Sequence, residues 1–288
     1  LVATPVAADS STTLAQRADA AAAAAAKKKT ASRVSSARAN AAISFLVPLR
    51  ISNPRIGSNF GFQVLDPESG EVLYDRQGTT SMRPASNMKI VTALNALHVL
   101  GPTTRMTTDT VVPEKGEVIL RGGGDTTLGT DDLAALANDT ADYLSSKGLL
   151  PDPKPGRKKR QPVQVFVDDS LYGTPKTGPG WTSSYQPYIV RPVRPLGRLG
   201  VYRWDSALEA GDVFAAALRS AGVAAKVIGH QDAADDAPAA ASVQGDTVAT
   251  QVKYMLQVSE NNIAEMLFRQ VAVQRGYPGT FKGGRLAA

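Results

Sequence analysis

Arg83-Pro84-Ala85-Ser86-Asn87-Met88-Lys89 is the stretch on which the reading of this sequence turns. It closes a loop, and a helix is expected to start at about Ser86. Ile90, Leu94, Leu97 and, more loosely, Val91 recur at helical spacing, which predicts that they form the buried face. Gly101-Pro102 ends the helix. Residues three apart on a helix share one face, about one turn apart. The Ser86 hydroxyl and the Lys89 amine can therefore reach hydrogen-bonding distance. Ser86 also lies at the helix N-terminus, where the positive end of the helix dipole favours an alkoxide or a developing oxyanion.

A serine hydroxyl needs a base to become a useful nucleophile. The sequence has two histidines, His98 and His230. His98 lies twelve residues on in the same helix, roughly 18 Å along its axis at about 1.5 Å per residue, and is out of reach. His230 cannot be placed without a fold. Lys89 is the base that local geometry guarantees, and it must lose its charge to accept a proton. Desolvation or nearby positive charge is expected to lower its pKa from about 10.4. Ser-x-x-Lys alone is weak evidence, since most occurrences are a helix cap followed by a surface lysine. A second motif, Ser259-Glu260-Asn261, follows 173 residues after Ser86, between two helical segments. In a turn, side chains at i and i+2 can point the same way and deliver a hydroxyl and a carboxamide to one cleft. The plainer reading is that Ser259 caps the segment from Asn262.

Around these motifs the chain reads as ordered from about Ile43. Phe60, Phe62 and Val64 alternate with Gly61 and Gln63 as a half-buried strand would. Pro67-Glu68-Ser69-Gly70 turns the chain into a second strand at Val72 and Tyr74. Short β segments follow from Met106 to Leu120, then a helix from Thr130 to Lys147 and a strand at Val163–Val167. A long Pro-, Gly- and aromatic-rich loop covers 174–205. A helix at Ala207–Ala221, a strand at Ala224–Ile228, a polar Ala-rich loop and a last helical pair around Val248–Val258 and Asn262–Gln274 complete the chain.

The bulk numbers bound the possibilities. With 288 residues, 43% hydrophobic and 20% charged, the chain suits one large globular domain or two smaller ones. The formal charge of +6 is concentrated near the start, where Arg17, Lys27, Lys28, Lys29, Arg33 and Arg38 outnumber Asp9 and Asp19. That segment, with its alanine run Ala20–Ala26, reads as a solvated tail or loosely held helix. Leu1 to Ala8 could be the remnant of a signal peptide. No cysteine is present, which excludes a disulfide framework, a thiol nucleophile and thiolate metal sites. Two histidines make a multi-histidine metal centre hard to build. No apolar run reaches the roughly 18 residues a membrane span needs.

Ser-x-x-Lys followed by Ser-x-Asn is the signature shared by penicillin-binding proteins and serine β-lactamases. Arg83-Pro84-Ala85-Ser86-Asn87-Met88-Lys89, Gly122-Gly123-Gly124-Asp125, Asp168-Asp169-Ser170, Pro179-Gly180-Trp181 and Ser259-Glu260-Asn261-Asn262-Ile263-Ala264-Glu265 together resemble the D-alanyl-D-alanine carboxypeptidase/endopeptidase family, the low-mass class C penicillin-binding proteins. That family usually has aspartate where Glu260 stands, and a large insertion separates its two motifs. The resemblance covers roughly residues 45–285. It implies an α/β (α+β) fold: a transpeptidase-like domain with helices on both sides of an antiparallel sheet, formed by residues 45–104 and 240–288. Residues 105–239 are expected to be a mixed α/β insert, and residues 1–44 a tail or linker.

On this resemblance Ser86, Lys89, Ser259 and Asn261 are the catalytic residues. Ser86 would attack the carbonyl between the two terminal D-alanines of a peptidoglycan stem peptide and form an acyl-enzyme, and β-lactams would acylate it likewise. No cofactor, metal or nucleic-acid partner is implied, and the protein is expected to be exported, to the bacterial periplasm or the extracellular cell envelope. A truncated non-catalytic relative and a β-lactamase-like hydrolase are the alternatives. The resemblance also implies a third motif, Lys-Thr-Gly or a relative, after Ser-x-Asn. Nothing after Ser259 fits it, so the chain is expected to be C-terminally incomplete. Lys176-Thr177-Gly178 spells the motif but precedes Ser259 in a loop and is read as coincidence. The basic run Arg191, Arg194, Arg198 and Arg203 has no explanation at this level. Arg157–Arg160 reads as a solvated insertion, and Asp168-Asp169 as a strand-end turn.

Overall fold

The computed structural model describes residues 36–153, 155 and 160–288. The alanine run, the Leu1–Ala8 segment and Arg157, Lys158 and Lys159 lie outside the described residues. Backbone contacts divide the chain after Pro84 into two compact units.

The first unit holds a helix over residues 36–51 (α1), which starts ahead of the order expected from Ile43. It also holds the hairpin of β1 (Phe62–Leu65) and β2 (Val72–Arg76), paired antiparallel. The turn forms where the sequence predicts it. Asp66 Oδ1 accepts the backbone N–H groups of Glu68 at 2.8 Å and Ser69 at 3.0 Å, fixing the reversal with its own side chain.

Residues 85–288 form the second unit. Its centre is a five-stranded sheet in the order β6-β5-β4-β3-β7. The strands are β3 (Arg105–Val111), β4 (Glu117–Gly122), β5 (Val163–Asp168), β6 (Ala225–His230) and β7 (Ala241–Thr247). The sheet is mixed: β4, β5 and β6 run parallel, whereas β3 pairs antiparallel with β4 and β7. Val163, Val165 and Val167 alternate toward a core that they share with α3 (Thr130–Ser146) and α4 (Ser206–Ser220). Leu133, Leu136, Leu144, Phe214 and Leu218 are fully buried there, each contributing roughly 1.5–3 kcal/mol by leaving water. α4 lies close to β5 because position 211 is glycine: a Cβ there would collide with Val167.

A second core joins α2 (Met88–Val99), α5 (Val248–Val258) and α6 (Asn261–Gln274). Here the expectation for α2 fails. Ile90, Val91 and Leu94 are exposed, Leu97 is only partly buried, and the buried face is Lys89, Ala93 and Ala96. Small side chains let α2 approach its neighbours closely, and the same face carries Lys89. Two elements were not anticipated. β7 lies in the stretch expected to be a polar loop, where Ala-Ser-Val-Gln-Gly-Asp-Thr pairs only with β3 at the sheet edge and needs no apolar run. α7 (Phe281–Ala287) is short and contains Gly283 and Gly284. A side chain at Gly284 would meet the ring of Phe268 on α6.

The basic run in the long loop is mostly an internal brace. Arg191 is buried and donates to the Arg198 and Val201 carbonyls, both at 2.7 Å. Arg194 pairs with Asp169 and Asp205, and Arg198 with Glu209. Arg203 alone of the four is exposed.

Candidate active site

Ser86 belongs to a 3-10 turn, Ala85–Asn87, that runs directly into α2, so the α-helix proper begins two residues later than expected. The turn still sets Ser86 and Lys89 on one side, with Lys89 Nζ 3.3 Å from Ser86 Oγ. Ser259-Glu260-Asn261 forms the joint between α5 and α6. Ser259 ends α5 in the left-handed conformation, with φ 58°. Its hydroxyl is not the helix cap that the plainer reading assigns it. Glu260 caps α6 instead, accepting the Ile263 N–H at 2.6 Å and holding Asn262 Nδ2 and the Tyr202 hydroxyl on its other oxygen. Freed from capping, the Ser259 hydroxyl donates to Ser86 Oγ at 2.9 Å.

The structure brings all four predicted residues together. Lys89 Nζ donates to Ser86 Oγ at 3.3 Å, Ser259 Oγ at 3.3 Å and Asn261 Oδ1 at 2.7 Å. The Asn261 amide is oriented from its other end by donation to the Ile189 carbonyl at 3.0 Å. Ala85, immediately before Ser86, also has positive φ, at 48°. Among the described residues three non-glycine positions have positive φ, and two of them flank this cluster. Such strained backbone concentrates at functional sites because the surroundings must over-determine it.

Lys89 is 6% exposed. Burial holds its pKa below the ordinary lysine range, against the opposing pull of Glu260 and Glu265. The arrangement is an amine drawn toward neutrality beside two hydroxyls hydrogen-bonded to each other, which is a path for moving a proton off Ser86 and onto a departing group.

The cluster opens on a cleft of about 650 Å³. Sequence reading missed most of its wall. Trp181 and Tyr185 meet edge to face with centroids 5.6 Å apart, and Phe268 and Phe281 lie 5.5 Å apart. Glu265 joins the two sides, accepting the Trp181 indole N–H at 2.6 Å. Only the Pro179-Gly180-Trp181 motif hinted at this wall.

Other candidates lie elsewhere. His230 bridges Asp169 and Asp205 through its two ring nitrogens. Lys176 donates to the Asp169 and Tyr172 carbonyls and pairs with the Asp169 carboxylate. Asp168 accepts the Ser170 and Ala233 N–H groups, as a strand-end turn does. No group of three or more metal-ligating side chains occurs among the described residues, and no helix there is long and apolar enough to cross a membrane.

Comparison with known proteins places this geometry in a family. The model of the D-Ala-D-Ala carboxypeptidase 3 (S13) family matches residues 47–196 and 194–288. Carboxypeptidase DacB of Mycolicibacterium smegmatis is 31% identical over 255 residues, which is 81% of this chain and 52% of the relative. A D-alanyl-D-alanine carboxypeptidase of Actinomadura is 31% identical over 188 residues, 60% of this chain and 32% of that protein. The chain spans about half the length of the curated relatives it matches over most of its own length. In fold it resembles penicillin-binding protein 4 of Haemophilus influenzae, with TM-score 0.63 at 18% identity, covering 80% of this chain and 66% of that one. A second structure of that protein, complexed with a β-lactam, aligns at TM-score 0.53 and 18% identity over 78% of this chain and 64% of that one. With a penicillin-binding fold and a family model matched along nearly all of residues 47–288, the chain belongs to the D-Ala-D-Ala carboxypeptidase 3 (S13) family.

Proposed function

We propose that this chain carries the nucleophile, base and proton relay of a serine-type D-alanyl-D-alanine carboxypeptidase/endopeptidase acting on peptidoglycan stem peptides. The observation that carries the reading is the hydrogen-bonded cluster of Ser86, Lys89, Ser259 and Asn261, drawn from stretches 173 residues apart. In this reading neutral Lys89 takes the Ser86 proton as Oγ attacks the carbonyl between the terminal D-alanines. The peptide C–N bond breaks as the tetrahedral adduct collapses. Ser259, in contact with both Ser86 and Lys89, passes the proton to the leaving D-alanine amine. Water then hydrolyses the ester on Ser86, with Lys89 as its base. Asn261 orients the amine and forms part of the wall along which the substrate amide lies.

The β-lactam in the Haemophilus complex supports the further proposal that β-lactams acylate Ser86. A substrate that is part of the cell wall also supports the proposal of export to the cell envelope. The two cores support a discontinuous catalytic part: one draws on α2, α5 and α6, the other on the sheet with α3 and α4. Apart from Met106, the first core lies inside the expected ranges 45–104 and 240–288, but β7 (Ala241–Thr247) pairs with β3 in the sheet of the 105–239 insert, so the second catalytic stretch would begin after Thr247. A fluorescent penicillin tests the function. Covalent labelling that disappears in Ser86→Ala is expected, and labelling that persists in that variant would remove Ser86 from its role.

A further inference from the structure

The joint between α5 and α6 is held from outside its own helices. Glu260 Oε1 accepts the Tyr202 hydroxyl at 3.0 Å, Asn261 Nδ2 donates to the Ile189 carbonyl at 3.0 Å, and Asn262 Oδ1 accepts the Arg191 backbone N–H at 2.9 Å. Three consecutive residues at the start of α6 thus each share one bond with the same stretch of the long loop. The bond to Asn261 bears on the chemistry. It claims the nitrogen end of the amide and leaves the oxygen end facing Lys89 Nζ at 2.7 Å. An amide turned about would set its own N–H donors against the lysine ammonium.

A loop carbonyl holds such a direction only where the loop is itself pinned, and here the pin is the Arg191 side chain. It is 3% exposed. Nη1 donates to the Arg198 and Val201 carbonyls, both at 2.7 Å, and so ties the segment that touches Asn261 and Asn262 to the segment that leads into Tyr202. Gly197 leaves room for this, since a Cβ there would lie 3.1 Å from Arg191 Nη2. Arg191 Nε has no hydrogen-bond partner, and the guanidinium meets carbonyls and the Met266 sulfur but no carboxylate among the described residues. A buried cation without a contacting carboxylate is costly, and a packed apolar side chain of similar size would avoid that cost. Stability is therefore a poor reason for an arginine here. Fixing two carbonyls relative to residues 189 and 191 is something no apolar side chain does.

We propose that Arg191 is a positioning residue of the reaction, acting through the loop from Ile189 to Tyr202 to fix the direction of the Asn261 amide. The inference rests on the acyl-transfer reading and deepens it from the reacting groups to what orients them.

The test is the rate of labelling by saturating fluorescent penicillin, followed against pH. Arg191→Met keeps most of the bulk and removes the donors. Its plateau rate is expected to fall about tenfold, as small misplacements in an active site do. The midpoint of the rise of that rate with pH is expected to move about half a unit toward acid, because Lys89 loses an acceptor that favours its charged form. Loss of folded protein alone would lower the amount labelled and leave the midpoint in place. Arg191→Lys restores donors and should recover part of the rate. Tyr202→Phe removes one hydroxyl from a half-buried ring at the far end of the loop and should move rate and midpoint the same way by less, which keeps the test open should Arg191→Met fail to fold. In the Asn261→Ala background Arg191→Met should cost little more, since residues that act as one are not additive. An unchanged plateau rate in the folded variants, a fall in rate with an unmoved midpoint, or full additivity with Asn261→Ala would overturn the proposal. A wild-type chain that penicillin does not label would instead sink the acyl-transfer reading, and this inference with it.

Discussion

Ser86 and Lys89 meet because one turn of chain brings positions three apart onto one side, and this part of the site was legible without a fold. What the spacing could not show is why the lysine would act as a base. That depends on Lys89 being buried, which depends in turn on α5 and α6 packing over the face that carries it. The desolvated amine favours its neutral form, so its proton-accepting fraction grows as pH rises. The labelling rate with a fluorescent penicillin should therefore climb with pH and level off below about pH 10.4, the ordinary lysine value. A rate that is flat with pH, or still rising beyond that value, would contradict a depressed Lys89. Lys89→Met keeps a chain of similar length without the nitrogen, and labelling should fall by at least the ~10²–10⁴ typical of losing a general base. Wild-type-like labelling of that variant would exclude Lys89 from the proton transfer.

At the scale of elements, α6 builds the site from one stripe. Asn261, Glu265 and Arg269 recur every four residues. They reach Lys89, Trp181 and the loop backbone at Gly173, Pro175 and Gly279 in turn. The helix N-terminus must therefore be fixed, and Glu260 does this by capping Ile263 while gripping Tyr202 and Asn262. Removing such a cap costs about 0.5–2 kcal/mol. Glu260→Ala should lower stability in urea by that amount. Penicillin labelling should fall further than the stability loss explains, because Ser259 and Asn261 flank the cap. Glu260→Asp should recover both in part. Loss of stability with unchanged labelling would show that the cap does not position the hydroxyl and carboxamide. The cap was invisible in the sequence, where serine looked the better candidate. A long carboxylate reaching forward three residues leaves the hydroxyl free. The buried face of α2 was misread for a related reason: periodicity marks where large apolar residues lie, whereas close helix packing here uses Ala93 and Ala96.

Across the whole second unit, one charge network ties the long loop to the sheet. Asp169 follows the end of β5 and receives Lys176, Arg194 and His230, while Asp205 caps α4 and receives Arg194 and His230. The network joins the β5 end, the loop through Arg194, the start of α4 and the end of β6, none of them adjacent in sequence. No spacing rule could have revealed it. Burial pushes the Asp169 pKa up, but Lys176 and Arg194 more than offset this and hold it below the usual carboxylate value. A carboxylate whose folded pKa is depressed contributes stability that is present above its unfolded pKa of about 3.9 and is lost as pH falls through the folded value. Asp169→Asn leaves Lys176 without its carboxylate and Arg194 with Asp205 alone. Breaking a buried pair in this way costs about 3–5 kcal/mol, a large part of the roughly 5–15 kcal/mol that holds a domain folded. Urea denaturation of Asp169→Asn near neutral pH should show a loss of that order. The gap from wild type should narrow as pH is lowered below about 3.9, because wild type is then losing the same contribution. A gap that stays constant on acidification would mean that the asparagine is destabilising through shape alone, and that the ionised carboxylate does not brace the loop.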